Sequence, residues 1–177
     1  DGRCAVLMPG VPSEMKAMWT ESIRPLLLER QNCTLHSITL RVLGGESNLE
    51  YRVRDLLDHA NPTAAIYCKT GECEIRITAR AASDEDGEKM CRAYARKFYD
   101  LLGDAVYDED VAGLEETVVR TLKEKGLTVS TAESCTGGMI AERITAVSGS
   151  SEVFGYGFVT YAEAAKAKLL GVDPTLL

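Results

Sequence analysis

TVSTAESCTGGMIAERI, residues 128–144, joins the end of a predicted β-strand, a turn with two glycines and the start of a predicted helix. Ser134 lies where the strand pattern ends, and Gly137 and Gly138 precede the helical pattern. In α/β folds, ligands bind most often at such a junction, beyond the carboxyl end of a strand. The stretch therefore predicts an α/β layer here and a candidate site at Ser134.

Helical and strand patterns alternate on both sides of this stretch. A helix is predicted over 114–126, and a second strand (155–161) and a second helix (162–171) follow the turn. This alternation predicts a layered α/β domain. Two strands are fewer than a stable sheet needs, so we expect 109–177 to be the first part of a larger domain.

The preceding segment, 37–108, has a different order of elements. The pattern predicts a strand, a helix, two strands joined around 69–71, and a long helix from Ser83, a typical N-cap, to Gly103. This β-α-β-β-α order predicts a compact α+β module with two helices on one side of a small sheet. A KH-like RNA-binding fold has a similar order, but its backbone-clamping loop carries G-x-x-G. The chain has Gly44-Gly45-Glu46 instead, so we expect a structural spacer that binds no nucleic acid.

The first segment, 1–36, is predicted to hold a short buried strand (4–8) and an amphipathic helix that extends to about Pro25, with Ser13 as its N-cap. One strand and one helix cannot enclose a core. We therefore expect this segment to be the tail of a domain whose earlier part is absent.

Composition excludes several classes of protein. The chain has 177 residues, 45% of them hydrophobic, and a net charge of -7, which is typical of a globular protein without a general attraction for nucleic acid or anionic membranes. It contains no apolar run of about 18 residues that would predict a membrane span. We expect a cytoplasmic protein.

The six cysteines show no C-x-x-C spacing, and only two histidines accompany them. Reduced, mostly structural thiols and no metal site are therefore expected. The six cysteines are Cys4, Cys33, Cys68, Cys73, Cys91 and Cys135.

The turn after Ser134 has two interpretations. Thr136, Gly137 and Gly138 would leave backbone N–H groups unpaired at the helix start, which favours an anion or a developing oxyanion. Alternatively, Ser134 or Thr136 is only the N-cap, and the glycines only permit a tight turn. Spacing alone does not decide between them.

A nucleophilic serine needs a base. Both histidines, His36 and His59, lie in the earlier segments, so lysine is the remaining candidate. A lysine serves as a base near neutral pH only if its surroundings lower its pKa from about 10.4 to about 7. Lys166 and Lys168 both follow the second strand, where a solvated lysine is the common alternative, and spacing does not choose between them.

Three blocks of sequence resemble the C-terminal amidase domain of the competence/damage-inducible CinA family: TAESCTGGMIAERIT (131–145), SGSSEVF (148–154) and GFVTYAEAAKAKLLGV (157–172). LMPGVPSEMKAMW (7–19) resembles the last strand, turn and helix of that family's molybdopterin-binding-like N-terminal domain. The segment 37–108 resembles its KH-like middle domain. The resemblance implies an α/β and α+β multidomain chain, a small KH-like α+β module followed by a truncated α/β layered amidase domain.

The resemblance also implies a reaction. The family's amidase domain hydrolyses the carboxamide of nicotinamide mononucleotide to nicotinate mononucleotide and ammonia. By similarity, Ser134 is the nucleophile, Lys166 activates it, and Tyr161 is an active-site tyrosine. The scheme requires no metal and no cofactor. The residues expected to bind the substrate, with backbone N–H groups holding the oxyanion, are Glu133, Cys135, Thr136, Gly137 and Gly138.

Within the loop before the last helix, Ala162 and Glu163 stand where the family commonly has serine and asparagine, a departure that bears on substrate contacts. Two helical residues separated by five positions point about 140° apart, so Tyr161 and Lys166 could not face one site from the same helix. Tyr161 should therefore lie at the strand end rather than on the helix of Lys166. Cys135 is the alternative nucleophile, although no histidine lies near it in sequence.

Two classes of function stay open. One is an amide hydrolase, and the other is a noncatalytic nucleotide- or partner-binding regulatory module. The family's ADP-ribose hydrolysis belongs to the N-terminal domain and is not assigned to this chain. The resemblance implies a homodimer. The chain by itself is expected to be inactive and to associate through the open edge of its last sheet.

Overall fold

The computed structural model describes residues 4–69 and 71–177. The helices are α1 Pro12–Met18, α2 Arg24–Leu28, α3 Glu46–Leu57, α4 Asp84–Leu102, α5 Leu114–Glu124, α6 Met139–Thr145 and α7 Glu163–Leu170. A π-helical segment, Trp19–Ile23, joins α1 to α2, and short 3-10 turns cover Gly103–Ala105, Ser150–Glu152 and Pro174–Leu176. The strands are β1 Thr34–Leu43, β2 Thr63–Lys69, β3 Glu72–Ala81, β4 Val106–Glu109, β5 Val129–Glu133 and β6 Phe154–Val159.

The larger sheet is antiparallel, with the strand order β2-β3-β1-β4. Every second residue of β1 and β3 is buried against α3 and α4, because successive side chains of a strand point to opposite faces. Ile38 and Leu40 of β1 and Ile75 and Ile77 of β3 form the centre of this core, together with Phe98 of α4. The predicted α+β module is confirmed.

Helix α4 begins and ends where the sequence predicted. The Ser83 hydroxyl accepts a hydrogen bond from the backbone N–H of Asp86 at 3.1 Å, which caps the helix start. Gly103 follows the last helical residue with φ of 55°, a conformation that favours glycine. The predicted cap is confirmed. The predicted strands and helix before α4 are also confirmed, except that Thr70 of the 69–71 turn lies outside the described residues.

Strand β4 was not predicted. The predicted helix begins at residue 114 and no strand is predicted between Gly103 and that helix, whereas Val106–Glu109 pairs antiparallel with β1. A strand of four residues with two acidic side chains carries little sequence signal, and its partner defines it. It adds a fourth strand to the β-α-β-β-α module.

The prediction for the first segment was partly wrong. Residues 4–8 form no strand, because no described strand pairs with them. Val11, not Ser13, is the N-cap of α1, since Pro12 occupies the first turn, where its missing N–H costs nothing. The helical path continues past Pro25, and no residue of 12–28 is buried.

The last segment alternates helix and strand as predicted. Strands β5 and β6 pair in parallel, and their register places Glu133 opposite Val159. A small core of Val119, Ile144 and Val153 lies between α5, α6 and this sheet. The predicted two-stranded α/β layer is therefore confirmed.

A buried arginine joins the larger sheet to the segment that leads into α5. Arg41 of β1, 1% exposed, pairs with Glu72 at 2.7 Å and with Glu74. Its guanidinium also donates to the Tyr107 hydroxyl at 3.2 Å and to the Ala112 carbonyl at 3.0 Å. Four acceptors therefore surround one buried cation. In the part of the chain that the structure describes, no helix is both long and apolar enough to cross a bilayer.

Candidate active site

The parallel pairing of β5 and β6 brings the ends of both strands to one edge. The backbone N–H of Thr160 donates to the Glu133 carbonyl at 2.8 Å, so the ladder reaches the last residue of β5. Ser134 and Tyr161 are the next residues beyond this pair. Their location is the carboxyl edge of a parallel sheet, where α/β proteins place their ligands.

Glu133 fixes the start of α6. Its side chain is buried, with 3% of the residue exposed, and its two carboxylate oxygens accept from the backbone N–H groups of Ile140 and Ala141, each at 2.9 Å. Desolvation by burial opposes the charged form, but these backbone hydrogen bonds outweigh it and hold the pKa of Glu133 below its ordinary value. The carboxylate thus satisfies two of the donors that a helix start leaves unpaired.

This contact changes the interpretation of the turn. One of the two interpretations left the N–H groups at the helix start free for an anion, whereas Glu133 of the same chain occupies two of them. The signal was present in the sequence, as a carboxylate seven residues before Ile140, but only the return of α6 over β5 brings it to the helix start. A substrate contact by Glu133 stays a prediction that no observation tests.

Tight turns connect Ser134 to α6. The N–H of Gly137 donates to the Ser134 carbonyl, and the N–H of Met139 to the Thr136 carbonyl, both at 3.1 Å. Gly137 has φ of 60° and Gly138 of 99°, values that other residues rarely adopt. Gly138 holds the N-cap position of α6, without a side-chain cap, so neither Ser134 nor Thr136 is that residue.

Two donors remain beside Ser134. Among residues 4–69 and 71–177, no backbone acceptor or side chain pairs with the N–H groups of Cys135 and Thr136. Adjacent backbone N–H groups of this kind are the usual components of an oxyanion hole. The arrangement therefore suits a site in which an oxyanion develops on the carbon that the Ser134 hydroxyl oxygen attacks.

Tyr161 and Lys166 follow β6. Tyr161 lies between β6 and α7, as predicted from the angular argument, and is 77% exposed. Lys166 is half-buried on α7, and Lys168 on the same helix is exposed, a difference that the sequence did not provide. Within the described residues, no hydrogen bond joins the Ser134 hydroxyl to Tyr161 or Lys166, so their roles remain predictions.

The other residues considered in the sequence analysis lie around this edge. Cys135 is an exposed free thiol, and Ala162 and Glu163, both exposed, form the start of α7. In the described ranges, with Thr70 and the first three residues aside, no three His, Cys, Asp or Glu side chains cluster in a way that could hold a metal ion.

Comparison with known families matches two parts of the chain. The model of the "Damage-inducible protein CinA KH domain" matches residues 37–107, which confirms the KH-like module, and that of the "CinA C-terminal domain" matches 111–177. The two matches together cover most of the chain.

Individual relatives extend the similarity to the first segment. A "CinA-like protein" of Kosmotoga olearia is 42% identical over 178 aligned residues, which are 99% of this chain and 43% of that protein. A "CinA-like protein" of Dictyoglomus turgidum is 44% identical over 173 residues, 97% of this chain and 42% of that protein. The chain thus spans less than half the length of the curated relatives it matches.

Among solved structures, the competence/damage inducible protein CihA from Agrobacterium tumefaciens is 50% identical, with a TM-score of 0.34. The match covers 34% of this chain and 36% of that one.

Proposed function

The chain belongs to the CinA family, and on that basis we propose that 109–177 takes part in the hydrolysis of the nicotinamide mononucleotide carboxamide, with nicotinate mononucleotide and ammonia as products. The observation that carries the proposal is the placement of Ser134. It lies at the carboxyl edge of a parallel sheet, beside the N–H groups of Cys135 and Thr136, for which the described part of the chain supplies no acceptor. Such a serine is suited to acyl transfer.

The proposed reaction begins with proton transfer from the Ser134 hydroxyl to Lys166, which acts as the general base. The serine oxygen attacks the carboxamide carbon, and the N–H groups of Cys135 and Thr136 donate hydrogen bonds to the oxyanion. Lys166 returns this proton to the amide nitrogen, so the tetrahedral intermediate expels ammonia and leaves an ester on Ser134. Water then hydrolyses this ester and restores the serine.

Glu133 has a positioning role in this scheme. Its carboxylate ties the end of β5 to the first N–H groups of α6, and the turn 134–138 lies between these two points. The turn is therefore fixed at both ends, as an oxyanion site requires, since donors must be placed before charge develops. Tyr161, exposed at the same edge, is proposed to contact the nucleotide substrate.

The test is release of ammonia from nicotinamide mononucleotide by a protein of the relatives' full length that contains this sequence. Ser134→Ala is expected to reduce turnover to the background rate with the circular dichroism spectrum unchanged. Ser148→Ala, at an exposed serine beyond α6, is the matched control and should retain full activity. Unchanged turnover in Ser134→Ala would contradict the proposal.

Two further measurements separate the alternatives. Cys135→Ala should retain activity if Ser134 is the nucleophile, whereas loss in this variant alone would assign the reaction to the thiol. Calorimetric binding of nicotinamide mononucleotide without ammonia release would instead identify a noncatalytic regulatory module. The same proposal includes a homodimer and an inactive 177-residue chain, which light scattering and the ammonia assay would test.

A further inference from the structure

Cys68 and Cys73 face each other across the hairpin of β2 and β3. Their sulfur atoms are 3.1 Å apart, and both cysteines are free thiols. They are direct partners in the antiparallel register, the last pair but one before the turn. Neither the spacing of the cysteines nor their number indicated this pairing.

The strand geometry meets the requirements of a disulfide. Residues directly opposite each other in an antiparallel pair have Cα atoms about 4.5–5.5 Å apart, within the range of about 4.4–6.8 Å found for disulfides. The two side chains lie on the same face of the sheet as Ile66 and Ile75. An S–S bond of about 2.0 Å needs the sulfurs to approach by only about 1 Å, without movement of either strand.

The two thiols differ in access. Cys68 is exposed, whereas Cys73 is 1% exposed and donates to the Gly44 carbonyl at 3.5 Å. A dissolved oxidant therefore meets Cys68 first, and Cys73 is already in contact with it. This is the arrangement of an attacking thiol and a resolving thiol.

We propose that Cys68 and Cys73 form a reversible modification site, at which a low-molecular-weight disulfide oxidises the pair to a cross-strand disulfide. In the first step the Cys68 thiolate attacks one sulfur of the small disulfide, forms a mixed disulfide and releases one small thiolate. In the second step the Cys73 thiolate attacks the Cys68 sulfur and releases the second small thiolate. The protein loses two protons and two electrons, and the small disulfide becomes two thiols.

The surroundings of Cys68 slow the first step. Although the residue is exposed, its sulfur lies against the buried Cys73; this desolvation, then the Cys73 thiol and Glu46, raises the pKa of Cys68 to about 12. Little thiolate is therefore present at neutral pH, so the first step is slow.

The sequence provides a direct assay, because trypsin cleaves after Lys69, between the two cysteines. The 177-residue chain is incubated with excess glutathione disulfide, its remaining thiols are blocked with N-ethylmaleimide, and it is digested without reductant. We expect peptides 55–69 and 70–76 as one linked species, two hydrogen atoms lighter than their sum. This species should exceed any other cysteine pairing by at least tenfold and disappear with dithiothreitol.

Single-cysteine variants test the two roles. Cys73→Ser should accumulate a glutathione adduct on Cys68, because no resolving thiol remains. Cys68→Ser should leave Cys73 unmodified, because that residue is buried. Cys135→Ser is the matched control at another exposed cysteine and should form the linked peptides as the unmodified sequence does.

Two outcomes would overturn the proposal. One is recovery of both peptides from the unmodified sequence with N-ethylmaleimide on each cysteine. The other is a stable glutathione adduct on Cys68 while Cys73 is present. Both are read from the unmodified sequence and so do not depend on the folding of a variant.

Discussion

Replacement of Arg41 by methionine should destabilise the larger sheet strongly. Methionine keeps much of the length and the apolar stem of arginine but removes a buried cation that pairs with Glu72 and Glu74. It also removes the donors to Tyr107 and Ala112. The variant leaves two carboxylates close together without the charge that held them.

The contacts set the size of the effect. Breaking a buried ion pair by removing one partner costs about 3–5 kcal/mol, because the other charge stays desolvated and unpaired. The side chains of Glu72 and Glu74 retain 13% and 15% exposure, and Lys69 still pairs with Glu74. Both facts reduce the penalty, so we expect a loss of about 3 kcal/mol, toward the lower end of that range.

Urea unfolding followed by far-ultraviolet circular dichroism measures this loss. Arg80→Met is the matched control, because Arg80 lies on the neighbouring strand β3 with an exposed side chain. It should change stability by no more than about 0.5 kcal/mol. Adding Glu72→Gln and Glu74→Gln to Arg41→Met should recover at least about 1 kcal/mol, since the unpaired charges are then absent. A cost below about 1 kcal/mol for Arg41→Met would refute the reasoning, because removal of a solvent-exposed ion pair costs no more than that.

Three further predictions concern the last domain. Glu133→Gln should lower the melting temperature at pH 7 and flatten its pH dependence. Because the pKa of Glu133 is lowered in the folded protein, its carboxylate stabilises the fold above the ordinary carboxyl pKa of about 4.3, and this stabilisation is lost as the pH falls through the folded-state pKa. Calorimetric scans at stepped pH measure the melting temperature of both sequences. A parallel decline in Glu133→Gln and the unmodified sequence would contradict the prediction. Gly138→Ala should cost about 1–3 kcal/mol in urea unfolding, because the residue has φ of 99° and a new Cβ would lie 3.2 Å from a Val159 methyl group. In the ammonia assay, Lys166→Ala should lower turnover by about 10²- to 10⁴-fold and Lys168→Ala should not, whereas equal losses would show that the base is wrongly assigned.

Local patterns in the sequence were sufficient for most of the elements. The cap at Ser83, the alternation of β1 and β3, and the strand–turn–helix at Ser134 each depend on residues within a few positions of one another. The position of Tyr161 beyond β6 also followed from simple helical geometry. Where the local signal was weak, as in the four-residue β4, the prediction failed.

The candidate site was predicted in part. The serine and its turn were located from sequence, and the resemblance selected Lys166 and Tyr161. The sequence did not predict that the Glu133 carboxylate accepts hydrogen bonds from the first N–H groups of α6. Glu133 reaches Ile140 and Ala141 only after α6 folds back over β5.

The sequence by itself determined the order of most of the helices and strands from residue 34 onward, the faces they bury and the position of the turn at Ser134, because these follow from periodicity and capping over short distances. The tertiary structure decided which polar groups meet. The register of the sheet places Arg41 of β1 beside Glu72 of the neighbouring strand β3. It also places Cys68 of β2 opposite Cys73 of β3. Register is set by the cooperative burial of one face, since a shift of one residue exposes the whole apolar set. Pairings of this kind therefore depend on the assembled sheet rather than on the residues beside them in the chain.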